Sequence, residues 1–177
     1  MKVTARYGDG WLPANLVPEE YKKNLGMIRE MAKEFGRDPS CIEPAHFMYV
    51  VVAEDAEVAR KAMMLTGKIM LLSRPRILEK IGFEPPTDDF EMTFKLVFPR
   101  DGEAWLEKAK ELPDEAVEKA PFLYGTPDDI IEKLDEFAKV GCRHFVMNFQ
   151  VSPRILKETC QLFAEKVTPY FKGSKCS

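Results

Sequence analysis

Residues 125–150, GTPDDIIEKLDEFAKVGCRHFVMNFQ, constrain the fold more than any other stretch, because one short run reads as cap, helix, turn and buried strand. Thr126 stands where an N-cap belongs and Pro127 at the first helical position. Asp128 and Asp129 put negative charge in the first turn, which the helix dipole favours. Ile130, Ile131, Leu134, Phe137 and Ala138 recur at helical spacing and give one apolar face. Gly141 ends the helix without a Cβ penalty. Phe145 to Phe149 is then an apolar run with little alternation, the pattern of a strand covered on both faces in a parallel sheet.

The rest of the chain repeats this grammar. Gly8-Asp9-Gly10 is turn chemistry ahead of a short strand near 11–14, whose Pro13 is tolerable only at a strand end. Pro18 opens a helix with Tyr21, Leu25, Ile28, Ala32 and Phe35 as its apolar stripe, and Gly36 stops it. Residues 45–53, AHFMYVVVA, are β-branched and aromatic, so a second strand is expected there with both faces covered. Asp55 is placed to cap a helix over 56–72 whose apolar face is Val58, Ala62, Leu65, Ile69 and Leu72. Met63, Met64 and Met70 read as adaptable core filler, or as a ligand surface. Residues 74–102 are irregular, broken by Pro75, Pro85, Pro86 and Pro99 around two apolar pieces, Ile77-Leu78 and Phe94 to Phe98. Loops of this length are often lids or binding segments. A helix follows over 104–112, ended by Pro113, and 114–120 is expected to add one more turn. Ser152-Pro153 starts a final helix with Ile155, Leu156, Thr159, Cys160, Phe163 and Val167 inside; Pro169 ends or kinks it. The tail 173–177 reads as loose.

Strands near 11–14, 45–53 and 144–149, each followed by a helix, imply an α/β fold with a parallel sheet. A length of 177 residues suits one domain. The net charge of −3 argues against a nucleic-acid partner, since no basic excess is present to neutralise phosphates. No apolar run approaches the roughly 20 residues of a membrane helix, and the N-terminus has no apolar signal region. A cytoplasmic protein is expected. Cys41, Cys142, Cys160 and Cys176 show no CxxC spacing, so free thiols are expected. Cys142 and His144 point the same way on a strand, but two further ligands are lacking, so no metal site is expected.

The run GTPDDIIEKLDEFAKVGCRHFVMNF, the opening ARYGDGWLP and the segment PEEYKKNLGMIREMAKEFGRDPSCIEPA resemble the luciferase-like family of flavin- and deazaflavin-dependent oxidoreductases. The likeness is greatest to its coenzyme F420 branch of methylene-tetrahydromethanopterin reductases and ketoreductases, and it covers nearly the whole chain in order. The resemblance implies a partial TIM barrel: about three parallel strands with outer helices, the sixth to eighth of the barrel, and an irregular insertion between the last two. Residues 1–177 would be a single domain, the C-terminal portion of that barrel, with a lid-like segment at about 74–102. Met1 to Tyr7 would match the tail of a helix, and the family's phosphate-binding loop would lie ahead of it.

The resemblance further implies hydride transfer with coenzyme F420, or FMN as the alternative, to a small-molecule substrate. TIM-barrel sites lie at the C-terminal ends of strands. Those ends are Asn15, Glu54, Asn148 and Gln150, with Trp11 nearby. Asn148 and Gln150 both donate and accept, and so can hold a ring or a phosphate, or simply satisfy strand ends. Trp11 can wall an aromatic cofactor or pack in the core. Cofactor-binding candidates are therefore Trp11, Asn15, Asn148 and Gln150. No catalytic residue is assigned, since no nucleophile is paired with a base and no GxGxxG, P-loop, GxSxG or HExxH occurs. Three strands leave an inner face and two edges uncovered, so a homo-oligomer or a partner chain carrying the earlier strands is expected. A non-catalytic remnant serving oligomerisation or flavin binding, and one subunit of a split enzyme, are the alternative readings.

Overall fold

The computed structural model of the chain describes residues 1–85, 102–149 and 151–173. The chain runs through α1 (Lys2–Tyr7), β1 (Gly10–Trp11), α2 (Pro18–Glu34), β2 (Glu43–Val52) and α3 (Ala56–Leu72). It continues with α4 (Pro75–Lys80), α5 (Gly102–Glu111), α6 (Asp114–Lys119), β3 (Leu123–Gly125) and α7 (Pro127–Lys139). Then come β4 (His144–Phe149), α8 (Leu156–Leu162), a π-helical segment Phe163–Val167 and α9 (Thr168–Gly173). Among the described residues, no helix is long and apolar enough to cross a membrane.

β2 is the central strand, and every pairing among the described residues is parallel. β4 lies along one flank, from Ala45↔His144 to Val50↔Phe149. The other flank is shared: Gly10 and Trp11 pair with Glu43 and Pro44, Ala14 bridges Phe47, and Leu123 to Gly125 pair with Val50 to Val52. Among the described residues the sheet therefore has four strands but is only three positions wide.

Strand alternation sorts β2 into two faces. Met48, Val50 and Val52, with Phe145, Met147 and Phe149 of β4, meet Tyr21 and Leu25 of α2 and Ile130, Leu134 and Phe137 of α7. Phe47, Tyr49 and Val51 meet Ala59, Met63 and Leu71 of α3 and Val117 of α6. Val50, Ile130 and Leu134 are at most 1% exposed, and each such side chain contributes roughly 1.5–3 kcal/mol. Surface ion pairs such as Lys139–Asp135 and Lys119–Glu115 each add less than about 1 kcal/mol, so the two-sided core decides the stability.

The α7 start is built as its sequence reads. Thr126 Oγ1 accepts from the Asp129 N–H, and Asp129 Oδ2 accepts from the Thr126 N–H at 2.8 Å, a reciprocal capping box. The Thr126 N–H also holds the Asp129 carboxyl below its usual range. Gly125, at φ 143, precedes the cap; a Cβ there would lie 2.6 Å from Asp129 Oδ2, so only glycine leaves room for the box. At the other end of the chain, Arg37 ties α1 to α2 by donating to Ala5 O and Gly8 O, both at 3.0 Å.

Several expectations change. A strand absent from the sequence reading, β3, completes the sheet. β1 is shorter than 11–14, yet Pro13 still serves the ladder through its carbonyl, which accepts from Phe47 N–H at 2.8 Å. Ile77 and Leu78 sit in a helix rather than in an irregular piece; Phe94 to Phe98, Gln150 and most of the lid-like segment lie outside the described residues. On α3 the buried stripe is Ala59, Met63, Gly67 and Met70, while Val58 and Leu65 are 54% and 55% exposed. The stripe is turned because α3 packs against α6 and β3, and a Cβ on Gly67 would meet Val117 Cγ1 at 2.7 Å. Met63, Met64 and Met70 are core residues, 0–8% exposed. The last helix starts at Leu156, leaving Ile155 and Leu156 exposed; it does not end at Pro169 but continues to Gly173, with the π-helical segment Phe163–Val167 just ahead of the proline. The face opposite α2 and α7 is not bare: Tyr49 and Val51 are 8% and 2% exposed under α3 and α6.

Two measurements check this packing. Thr126→Ala lowers stability in urea unfolding by about 1 kcal/mol through loss of the cap. His46, 1% exposed, lies between the Tyr21 and Phe137 rings with neither ring nitrogen hydrogen-bonded among the described residues. Burial pushes its pKa down from 6.5 to about 4. The unfolded chain takes up a proton near pH 6.5 that the folded chain refuses until about 4. Stability is therefore full above pH 6.5 and falls by on the order of 3 kcal/mol as pH drops towards 4. His46→Leu flattens that acid limb.

Candidate functional site

The polar groups that converge on the sheet lie on the β2 face opposite α2 and α7. Tyr49 stands edge-on to Phe47 and Phe122, with ring centroids 5.2 and 6.0 Å apart. Its hydroxyl accepts a hydrogen bond from Arg74 Nη2, and the guanidinium lies 5.0 Å from the Tyr49 ring centroid. Arg74 Nη1 donates to Met70 O at 2.9 Å and to Ser73 Oγ at 2.7 Å. The three acceptors are neutral, and no carboxylate pairs with Arg74 among the described residues. A guanidinium has five N–H donors. Nε–H and one N–H of Nη2 therefore have no acceptor among the described residues, and these two form the edge that grips carboxylates and phosphates bidentately.

Asn148 is the ladder partner of Tyr49 and shares its face. Asn15 follows the Ala14–Phe47 bridge on the other flank of β2, so it sits near the level of Tyr49. Its backbone is left-handed at φ 58, and its buried Oδ1 has no hydrogen-bond partner among the described residues. Two strand spacings separate the flanks, roughly 10 Å, a span that one ring system can bridge. An orphaned buried acceptor costs roughly 1–3 kcal/mol, and a ligand donor would relieve it.

The other candidates lie apart. Trp11 is level with Pro44, five positions before Tyr49 in β2 and about 16 Å back along the strand. Its ring is 4.9 Å from that of Tyr21, beside α2. Glu54 lies past the end of β2 and lines a cleft of about 470 Å³ between α3 and α8. Val51, Ala53, Val58 and Ile155 give this cleft apolar walls; Glu54, Glu158 and Glu165 are its only charged residues among those described. A phosphate is repelled there and attracted at Arg74. Cys142 is buried, its thiol pushed up to about 11 by burial, and donates to His144 O at 3.6 Å, while the His144 side chain is exposed.

Tyr49 and Arg74 were not singled out from sequence. The phenol carried a usable signal: one hydroxyl in an otherwise apolar parallel strand must find a partner. Nothing in the sequence tied Arg74, ahead of Pro75, to that hydroxyl.

Residues 1–144 match the family model described as luciferase-like monooxygenase. The chain belongs to this family. It is 28% identical over 152 residues to the phthiodiolone/phenolphthiodiolone dimycocerosates ketoreductase of Mycobacterium tuberculosis, covering 83% of this chain and 40% of that one. It is 25% identical over 173 residues to the 5,10-methylenetetrahydromethanopterin reductase of Methanopyrus kandleri, covering 97% of this chain and 48% of that one. The solved coenzyme F420-dependent tetrahydromethanopterin reductase from Methanopyrus kandleri superposes with a TM-score of 0.70 at 23% identity, over 96% of this chain and 47% of that chain. That likeness shows the fold: parallel strands with surrounding helices, as in the TIM-barrel-like members of the luciferase-like family. The chain spans about half the length of the relatives it matches, or less.

Asn15→Gly removes both the left-handed strain and the orphaned acceptor of this luciferase-like chain. It raises the stability of the unliganded protein by about 1 kcal/mol in chemical denaturation, net of glycine's extra unfolded-state entropy.

Proposed function

We propose that residues 1–177 form one domain, the C-terminal portion of the barrel of an oxidoreductase that transfers a hydride between coenzyme F420 and a small-molecule substrate, with FMN as the alternative carrier. The observation that carries this reading is the placement of Tyr49–Arg74 and Asn148 on one face of β2, with Asn15 on the other flank of that strand near the same level, towards the strand C-termini where sites of such barrels lie. The names of the two reductases above support the carrier and the reaction class.

The residues present suit a flat hydrogen-bonding ring attached to a phosphate-bearing tail. Asn15 Oδ1 accepts from a ring N–H, and Asn148, with Gln150 beside it in sequence, offers both donor and acceptor. The free edge of Arg74 pairs with an anionic group, and Tyr49 fixes the guanidinium for that purpose. Phe47, half-buried on the same face, offers apolar surface that excludes water. A reduced deazaflavin or flavin, when bound, supplies the hydride; the protein's part is binding, orientation and electrostatics.

Half a barrel leaves the outer edge of β4 unpaired among the described residues. Further strands come from a second copy of the chain, from a separate partner chain or from additional sequence in the same polypeptide. The free thiols at Cys41, Cys142 and Cys160 support a reducing, cytoplasmic location.

Equilibrium titration with coenzyme F420, followed by deazaflavin fluorescence, tests the reading. Saturable micromolar binding is expected, weakened on the order of ten-fold by Arg74→Met and by Asn148→Ala, each of which removes one charge-assisted or polar contact. Absence of binding at millimolar coenzyme contradicts a pocket made by these residues. Light scattering at micromolar concentration is expected to give more than the monomer mass; a monomer contradicts self-association.

A further inference from the structure

The outer flank of β4 carries a second cavity, a groove of about 660 Å³ between α7 and α9. Phe145 and Met147 form its floor, so it lies on the opposite sheet face from Tyr49 and Asn148. Leu134 of α7 and Phe163 and Phe171 make the walls. Phe145, Met147, Phe163 and Phe171 are only half-buried, so the groove shows aromatic and apolar surface to solvent. The Cys142 thiol also lines it, kept protonated by burial and therefore apolar in character.

Only two charged residues line this groove among those described, and both are cations: Arg143, just ahead of β4, and Lys172 in α9. Both side chains are exposed, and neither has an ion pair or side-chain hydrogen bond among the described residues. This is a local inversion in a chain of net charge −3. The wall facing them is shaped by a rare feature. Phe163 opens the π-helical segment, and its carbonyl accepts from both the backbone N–H and the Oγ1 of Thr168. The extra residue in that turn re-aims Phe163, and such π-bulges are frequent at functional sites.

We propose that this groove binds a free medium-chain fatty acid, its acyl chain along Phe145, Met147 and Phe171 and its carboxylate at Arg143 and Lys172. The volume falls within the roughly 300–1,000 Å³ of cavities that enclose one small organic molecule. Arginine with an uncommitted fork matches a carboxylate bidentately, and lysine adds a point charge. A membrane surface is the poorer match, because two cations fall short of the clusters of about 4–8 that hold anionic bilayers.

Calorimetric titration with sodium decanoate, kept below its micelle concentration, tests the assignment. One saturable site per chain is expected. Arg143→Gln and Lys172→Gln each weaken it on the order of ten-fold, and 1-decanol, with the same chain and no charge, binds at least about ten-fold more weakly. Met147→Trp fills the groove and abolishes binding with an unchanged far-UV spectrum. Excess coenzyme F420 leaves decanoate bound, since the two faces are separate. Equal affinity for 1-decanol, undiminished binding by the double variant Arg143→Gln/Lys172→Gln, displacement by coenzyme F420 or failure to saturate would each overturn the proposal. Preferential capture by phosphatidylserine vesicles would replace it with a membrane surface.

Discussion

The parallel register between β2 and β4 is the constraint on which the rest of the structure depends. Side chains alternate with period two, so a slip of one residue would exchange the two faces of the sheet. With Tyr49 opposite Asn148 and Val50 opposite Phe149, the apolar set Met48, Val50, Phe145 and Met147 meets α2 and α7. The polar pair Tyr49 and Asn148 is thereby placed on the other face. The register is held strongly because both outcomes of a slip are costly: Tyr49 and Asn148 would be pushed under α7, and Val50, 0% exposed, would be turned out of its core.

The sheet's narrowness follows from the same strand. β1 and β3 occupy successive parts of one flank of β2, so four strands fill three positions. The C-terminal half of β2 thus has a strand on either flank, while β4 has β2 as its only neighbour among the described residues. This asymmetry puts well-ordered polar groups beside an edge. It also separates charge: cationic Arg74 on the Tyr49 face, carboxylates along the cleft between α3 and α8, and Arg143 with Lys172 on the outer groove. Each surface thereby favours a different chemistry.

Local signals were legible where one residue type performs one local task. The Thr126 cap of α7, Asp55 ahead of α3 and the β2 run of Tyr49 to Val52 are decided within a few residues, and sequence reading placed all of them; the return bond from Asp129 was read only as first-turn charge. Tertiary choices were not legible. α3 offers apolar residues nearly all round, so periodicity alone could not decide between the Val58–Leu65 face and the Ala59–Met63 face; packing on α6 decided it. β3 is three residues long and has no pattern of its own beyond its partner. At the candidate site, Asn15, Asn148 and the strand-end logic came from sequence, whereas the Tyr49–Arg74 contact joins residues 25 apart and needed coordinates. Trp11 shows the reverse: an aromatic near a strand end whose ring the structure places against Tyr21 of α2.

The most direct test of the face assignment is methyl NMR on valine-labelled chain with and without coenzyme F420, because the valines report the two faces separately. Val51 packs on the Tyr49 side, whereas Val50 and Val52 pack on the α2 and α7 side. Ligand bound at Asn15, Arg74 and Asn148 shifts the methyls of Val51 and of Val146, which shares its face, and leaves those of Val50 and Val52 in place. Shifts confined to Val50 and Val52, or no shift at saturating coenzyme, would contradict the placement of the site on this face of β2.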